Sequence, residues 1–244
     1  MKAFFDTHLH LPKPTNEGVC ELVRHIQTTP GFLGGLLILN TDEEVDAVAN
    51  NYSLLPKGVV VVPHFRISVN RAPLIFRTGW FKVHPTLHKL DIDMLDEVVS
   101  NLRRKTPTGV IVHCFPWGPE TKFNVSLAYV TRLARDLPHC IILAAHGGGY
   151  ESWQFRAHAG VFKNVHFDFS MTLDYYQNSD LLRPVQRYLK YSPTRIHFGS
   201  DWPDGNLERQ LTEMQRLATE VEIAPKVLEE LLISNAKSCW PEAF

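Results

Sequence analysis

The sequence predicts an α/β fold, a single (β/α)8 barrel of the TIM type. Short apolar runs rich in β-branched residues recur along the chain, and most of the segments between them carry helical periodicity. Apolar strands that alternate with helices are typical of a parallel sheet covered by helices, and eight such units in 244 residues match the size of a barrel. The predicted strands cover residues 3–5, 35–39, 58–62, 80–83, 110–112, 141–145, 165–169 and 196–198. A doubly wound open sheet is the alternative architecture.

The segments between the strands contain signals for the starts of helices. Asp91 precedes a periodic apolar stretch and is predicted to cap a helix, and Pro225 suits a first helical turn. The third unit has the weakest pattern because segment 68–79 is short and contains Pro73, which favours a loop.

Composition narrows the class of protein. No repeat or low-complexity linker divides the chain, so residues 1–244 are predicted to form one domain. Lys and Arg number 25 against 26 Asp and Glu, so we expect neither nucleic acid nor a membrane as a partner. The apolar stretch before Asp6 is too short for a secretory signal, which makes a cytoplasmic location the expectation. The four cysteines include no Cys-x-x-Cys pair, which argues against a zinc ribbon and a dense disulfide framework.

Polar residues follow the ends of the predicted strands. In a barrel, catalytic groups come from the carboxyl ends of several strands, so positions distant in sequence converge at one mouth. Six of the twelve histidines occupy such ends. The strand-end residues are His8, His10, Asn40, His64, Lys82, His84, His113, His146, Asp168 or Ser170, and Asp201.

The pair His8-x-His10 ends the first strand. Residues two apart leave the same face of a strand, so both imidazoles are able to reach one ion. Asp6 lies two residues before His8 and is expected on the same face. Neutral imidazole suits zinc, iron or manganese. The alternative interpretation is a partly exposed strand end without a ligand.

Two further apolar strands end on a histidine, at His113 and His146. Taken singly, each is more typical of a core histidine that is hydrogen-bonded to the backbone. Three glycines follow His146, and they let the backbone approach a ligand closely. This pattern favours a site at His146.

Asp201 ends the eighth strand. A desolvated carboxylate is costly unless it is paired, hydrogen-bonded or bound to a metal, and a metal-bound Asp201 also suits the role of proton acceptor for water. The alternative is a cap on the turn that follows.

Lys82 lies on the fourth strand with His84 on the same face. Three hypotheses remain open: a cation that binds an anionic substrate, which we rank first, a carbamylated lysine that bridges two metals, and a packed stem with a solvent-exposed ammonium. Arg66, Arg71 and Arg77 are candidates for binding a substrate carboxylate.

Taken in order, these segments resemble the amidohydrolase superfamily. The resemblance rests on Asp-Thr-His-Leu-His at 6–10, Phe-Lys-Val-His-Pro at 81–85, His113, His-Gly-Gly at 146–148 and Gly-Ser-Asp-Trp-Pro at 199–203. The chain is most similar to the amidohydrolase-related branch, which contains aminocarboxymuconate-semialdehyde decarboxylases and pyrone-dicarboxylate lactonases. Its Asn-Ala segment at 235–236 also resembles the closing helix of that branch.

The resemblance implies a metal-dependent barrel enzyme. In it His8, His10, His113 and Asp201 would hold a divalent metal, usually zinc, and His146 would assist acid–base chemistry or polarise the substrate. Lys82 matches a lysine of the branch, whereas related TatD-type nucleases carry Glu there, which argues against a nuclease.

These expectations lead to three functional hypotheses. The first is a hydrolase of a small ester, lactone or amide, in which metal-activated water attacks a carbonyl and His146, Asp201 and Lys82 are catalytic. The second is a metal-dependent, non-oxidative decarboxylase of a small carboxylic acid, and the third is a catalytically silent ligand-binding barrel. The expected partner is a small molecule, with an anionic substrate, a second metal and a homo-oligomer left open.

Overall fold

The computed structural model describes residues 3–65, 76, 78–116, 118–119 and 121–244. Arg66, Arg71 and Arg77, and most of the loop predicted around Pro73, lie outside the described residues.

The described residues form eight parallel strands, each overlapping a predicted one. Four residues at most separate a predicted boundary from the observed one, because sequence pattern fixes the apolar centre of a strand better than its ends. The strands are β1 (Phe4–Leu9), β2 (Phe32–Ile38), β3 (Val59–Val62), β4 (Trp80–Val83), β5 (Gly109–His113), β6 (Ile141–Ala145), β7 (Val165–Asp168) and β8 (Ile196–His197).

Backbone hydrogen bonds close the strands into a barrel. The strands pair in the orders β1-β2-β3 and β4-β5-β6-β7-β8. At one seam the Phe65 amide donates to the Lys82 carbonyl at 2.7 Å, and at the other the Asp201 amide donates to the His8 carbonyl at 2.8 Å. The (β/α)8 barrel is therefore confirmed, and the alternative of an open doubly wound sheet is wrong.

Helices cover the outside of the barrel. They are α1 (Asn16–Thr28), α2 (Asp42–Asn50), α3 (Leu95–Lys105), α4 (Ser126–Asp136), α5 (Ser152–His158), α6 (Thr172–Tyr175), α7 (Arg183–Tyr191), α8 (Leu207–Glu220), α9 (Pro225–Glu229) and α10 (Asn235–Cys239). Among the described residues, no helix combines the length and the apolar character needed to cross a membrane.

The prediction for Pro225 is confirmed, and the prediction for Asp91 is wrong. Helix α9 begins at Pro225, but α3 begins only at Leu95 and has no side-chain cap. The Asp91 carboxylate instead accepts a hydrogen bond from the Asp93 amide, and the Asp91 carbonyl accepts one from the Tyr129 hydroxyl. These contacts hold Asp91 in a turn before the helix.

Alternate residues of the strands divide the core into an inside and an outside. Outward side chains such as Val110 and Ile142 pack against the helices, whereas inward ones such as Phe5 and Trp80 fill the barrel. The segment after α10 closes the end of the barrel where the strands begin: Trp240 stacks on Phe5 with ring centroids 5.8 Å apart. The opposite end is left to the polar strand-end residues.

Candidate active site

His8, His10 and Asp201 meet where the first and last strands end. The Nε2 atoms of His8 and His10 each lie 3.4 Å from Oδ1 of Asp201. The side chain of His8 is fully buried, that of Asp201 is nearly so, and that of His10 is partly buried. Asp201 adopts a positive φ of 60°, a costly conformation that the bond from its amide to the His8 carbonyl holds in place.

The other ring nitrogen of His8 and of His10, Nδ1, makes a hydrogen bond that determines where the imidazole proton lies. The Nδ1 atom of His8 lies 3.2 Å from the Asp168 carboxylate, and that of His10 lies 3.0 Å from the Ile38 carbonyl. Both partners only accept, so each Nδ1 carries the proton and donates it. Each Nε2 therefore presents a lone pair toward Asp201, the tautomer that a metal ligand requires.

His146 and His113 present lone pairs to the same region. The Nδ1 atom of His146 lies 3.0 Å from the Ser170 carbonyl, and Nε2 of His113 lies 3.2 Å from the Phe115 carbonyl, so these nitrogens are donors. The remaining nitrogens, His146 Nε2 and His113 Nδ1, face each other at 3.2 Å. Two lone pairs at this distance repel unless a cation lies against them.

The donor atoms fit a divalent metal. One atom each from His8, His146 and Asp201 lies within 4.8 Å of the others, and all three residues are buried. His8 Nε2 makes no hydrogen bond in the described part of the chain. Imidazole nitrogens with one carboxylate form a donor set typical of zinc sites.

Burial keeps these groups in the form that binds a metal. It lowers the pKa of His8 to about 3, with a further contribution from Lys82, and it also lowers the pKa values of His113 and His146. Burial opposes ionisation of Asp201, but interactions with His146 and His8 outweigh it and hold the pKa of Asp201 well below its usual range. At neutral pH the site therefore contains neutral imidazoles and an ionised carboxylate.

Hydrogen bonds to the carboxylates of Asp168 and Asp6 position the residues of the site. Besides binding His8, Asp168 accepts a hydrogen bond from the His146 amide at 3.1 Å. Asp6 accepts hydrogen bonds from the amides of His8 and Ser200, so it joins β1 to the segment after β8. The sequence placed both carboxylates at strand ends, but their hydrogen-bond partners follow only from the fold.

Glycines bring the backbone close around His146. His146 itself has a φ of 61°, and Gly147, Gly148 and Gly149 also have positive φ values. A Cβ atom on Gly148 would lie 2.4 Å from the Phe155 ring. Glycine at this position is therefore required by the packing against Phe155, and the predicted close approach to a ligand stays a prediction.

Lys82 lies fully buried within the site. Its Nζ atom has no hydrogen-bond partner among the residues that the structure describes, and burial lowers its pKa to about 8. Because the ammonium is buried, the hypothesis of a solvent-exposed head is wrong. The roles in substrate binding and as a carbamylated bridge remain predictions.

The other strand-end residues lie around this centre. The ring of His84 stacks on His113 with centroids 3.8 Å apart. His64 stands apart from the centre, with its Nε2 atom 3.1 Å from the Asp42 carboxylate. A cavity of about 450 Å³ opens above the donor atoms, a volume suited to a small molecule, and its wall includes Phe115 and Met171.

Comparisons with known proteins support this assignment of fold and family. The sequence model of a family described as Amidohydrolase matches residues 21–241. The structure is similar to an uncharacterized TIM-barrel protein, Bb4693, from Bordetella bronchiseptica, with a TM-score of 0.71, 16% identity and 99% of each chain covered. It is also similar to the apo structure of ATU3138 from Agrobacterium tumefaciens, with a TM-score of 0.66, 12% identity, and 99% of this chain and 96% of that chain covered.

No curated protein matches the sequence. The family match begins at residue 21, after β1. The assignment of His8 and His10 to the site therefore depends on the distances given above and on the resemblance of segment 6–10.

Proposed function

Because this chain belongs to the amidohydrolase family, we propose that it is a metal-dependent hydrolase of a small ester, lactone or amide. The observation that carries the proposal is the convergence of imidazole lone pairs on the Asp201 carboxylate. His8 and His146 are buried, and imidazole nitrogens whose protons are directed elsewhere are costly in an apolar interior without a cation. A location in the cytoplasm is part of the proposal.

The proposed metal ligands are His8, His10, His113 and Asp201, with one zinc ion as the expected metal. A divalent metal held there supplies a Lewis acid that polarises a carbonyl and makes water a better nucleophile near neutral pH. His146 and His113 lie 3.2 Å apart, so His146 is close enough to be the ligand instead. Metal contents of His113→Ala and His146→Ala distinguish the two arrangements.

In the proposed mechanism, Asp201 and His146 transfer protons and Lys82 stabilises charge. Asp201 is ionised at neutral pH, so its carboxylate is the acceptor for the proton of the attacking water. His146 keeps its Nδ1 proton on the Ser170 carbonyl, which leaves Nε2 as the atom that exchanges a proton with the substrate. The Lys82 ammonium stabilises negative charge that develops on the substrate.

The test replaces two of the proposed ligands, Asp201 and His10, whose Nε2 atom lies 3.4 Å from the Asp201 carboxylate. We expect His10→Ala and Asp201→Ala to lose both stoichiometric metal, measured by elemental analysis, and turnover of a panel of small esters, lactones and amides. His158→Ala is the matched control, since His158 is exposed at the end of α5. Full activity in either site variant would eliminate this mechanism.

Decarboxylation of a small carboxylic acid is the second candidate. It is favoured by Lys82, a buried cation without a hydrogen-bond partner in the described chain, which suits an anionic substrate. Substrate turned over in isotopically labelled water separates the two reactions. Hydrolysis incorporates the label into the product acid, whereas decarboxylation releases CO2 without net consumption of water.

A further inference from the structure

A second group of metal-binding side chains lies away from the candidate active site. It consists of His166 on β7, His197 on β8 and Cys239 at the end of α10. The His197 ring makes an edge contact with Trp240, which closes the end of the barrel where the strands begin. The group therefore belongs to the opposite end of the barrel from Asp201.

The three donor atoms form a compact triangle. Nδ1 of His166 lies 2.8 Å from Nε2 of His197, and Sγ of Cys239 lies 3.8 and 4.0 Å from these nitrogens. Around a tetrahedral zinc ion, typical bond lengths give ~3.3 Å between two nitrogens and ~3.6 Å between nitrogen and sulfur. Shifts of a few tenths of an ångström bring this triangle to those values.

Apolar side chains contribute to the interior layer of the barrel around His166. They include Leu36 on β2, Val60 on β3 and Leu143 on β6, and Leu143 pairs with His166. His166 lies two residues before Asp168 on β7, so both side chains leave the strand on the same, inward face. Two imidazoles and a thiol in such a layer lose solvation, which ligation of a cation offsets.

The surroundings of the triangle favour neutral imidazoles. Burial lowers the pKa of His166 to about 4, with a contribution from Arg195, and burial lowers the pKa of His197 well below its usual value. The Arg195 guanidinium donates to the carbonyls of Gly160 and Phe162, which directs its charge away from the three donors. Burial raises the pKa of the Cys239 thiol, so this group binds a cation by releasing its proton.

We propose that His166, His197 and Cys239 form a second site, for a thiophilic divalent cation of the Zn²⁺ type, independent of the proposed catalytic centre. On binding, the Cys239 S–H bond breaks, the sulfur donates its electron pair to the cation, and one proton goes to solvent. The cation joins α10 to β7 and β8 and so fixes the segment that closes the barrel. Its role is structural, since the cavity above Asp201 lies at the other end.

Cobalt is the probe, because Co²⁺ bound by a thiolate gives a charge-transfer absorption in the near ultraviolet, whereas histidine and carboxylate ligands do not. The full chain is stripped of metal with a chelator and titrated with Co²⁺. We expect the thiolate band to saturate when one equivalent of Co²⁺ is bound in addition to any at the proposed catalytic centre, and Cys239→Ser to lose the band and that equivalent. Cys140→Ser, which removes another buried thiol, is expected to keep both.

A second variant covers the case in which Cys239→Ser folds poorly. His166→Gln keeps the thiol and removes one nitrogen ligand, so we expect the same band at a Co²⁺ concentration at least tenfold higher. Circular dichroism of both variants verifies the fold. The proposal is overturned if the wild-type chain shows no thiolate band, if the band survives in Cys239→Ser, or if Cys140→Ser loses it equally.

Discussion

Lys82→Met is expected to make the metal-free protein more stable and the metal-loaded protein less active. The Lys82 side chain is fully buried, and its ammonium lacks a hydrogen-bond partner among the described residues. Methionine has a similar length and no charge, so it removes the cost of the buried cation with little change in volume.

The magnitude follows from the pKa of Lys82. Burial lowers it from 10.5 to about 8, and since each pKa step of one is worth ~1.4 kcal/mol, the charged form costs the folded state about 3 kcal/mol. The folded state binds fewer protons than the unfolded state between these two pKa values. Wild-type stability should therefore rise with pH from 8 to 10.5, and Lys82→Met should lack this rise.

Urea unfolding with a chelator present, near pH 7 and near pH 10, measures the effect. We expect Lys82→Met to exceed wild type by up to about 3 kcal/mol at the lower pH and by much less at the higher pH. Lys163→Met is the control, since Lys163 is exposed, and it should stay within ~0.5 kcal/mol of wild type. A Lys82→Met protein that is equally or less stable at neutral pH would refute the reasoning, because the ammonium would then be compensated in the folded state.

Three further predictions test the surroundings of the two sites. Asp168→Asn removes the charge that holds the His8 proton, so metal affinity measured by competition with a chelator should fall roughly 10–100-fold. Because the pKa of His166 is lowered to about 4, the metal-free protein should lose up to about 3 kcal/mol of stability as pH falls from 6.5 to 4, and His166→Gln should reduce this loss in urea titrations. Gly148→Ala places a methyl group against Phe155 at a positive φ, so thermal unfolding should show a loss of more than ~1 kcal/mol.

The strands were predictable from sequence because each has an apolar centre that must be buried on both faces. The run at 141–145, for example, coincides with β6 at Ile141–Ala145. The candidate site residues were predicted for a related reason, since they lie at or shortly after the carboxyl ends of such runs: His8, His10, His113, His146 and Asp201. One polar residue at a strand end is also typical of a core residue, but several at the carboxyl ends of different strands of a barrel indicate a site.

What the sequence did not supply are contacts between distant residues. The pairing of Asp168 with His8 and of His146 with His113 depends on the order and stagger of the strands in the closed barrel. Cys239 lies on a helix, and no local spacing relates it to His166. The Asp91 cap failed for a similar reason, because the contact with Tyr129 on α4 outweighs the local preference.

The contact between His8 and Asp201 joins the first strand to the segment after the last one. A folding intermediate that has yet to dock either end of the chain lacks this pair. A cation whose binding requires both residues therefore stabilises the native protein by mass action, and it does not stabilise the folding intermediate. Metal uptake followed in time during refolding would then mark the moment at which the two ends of the polypeptide come together.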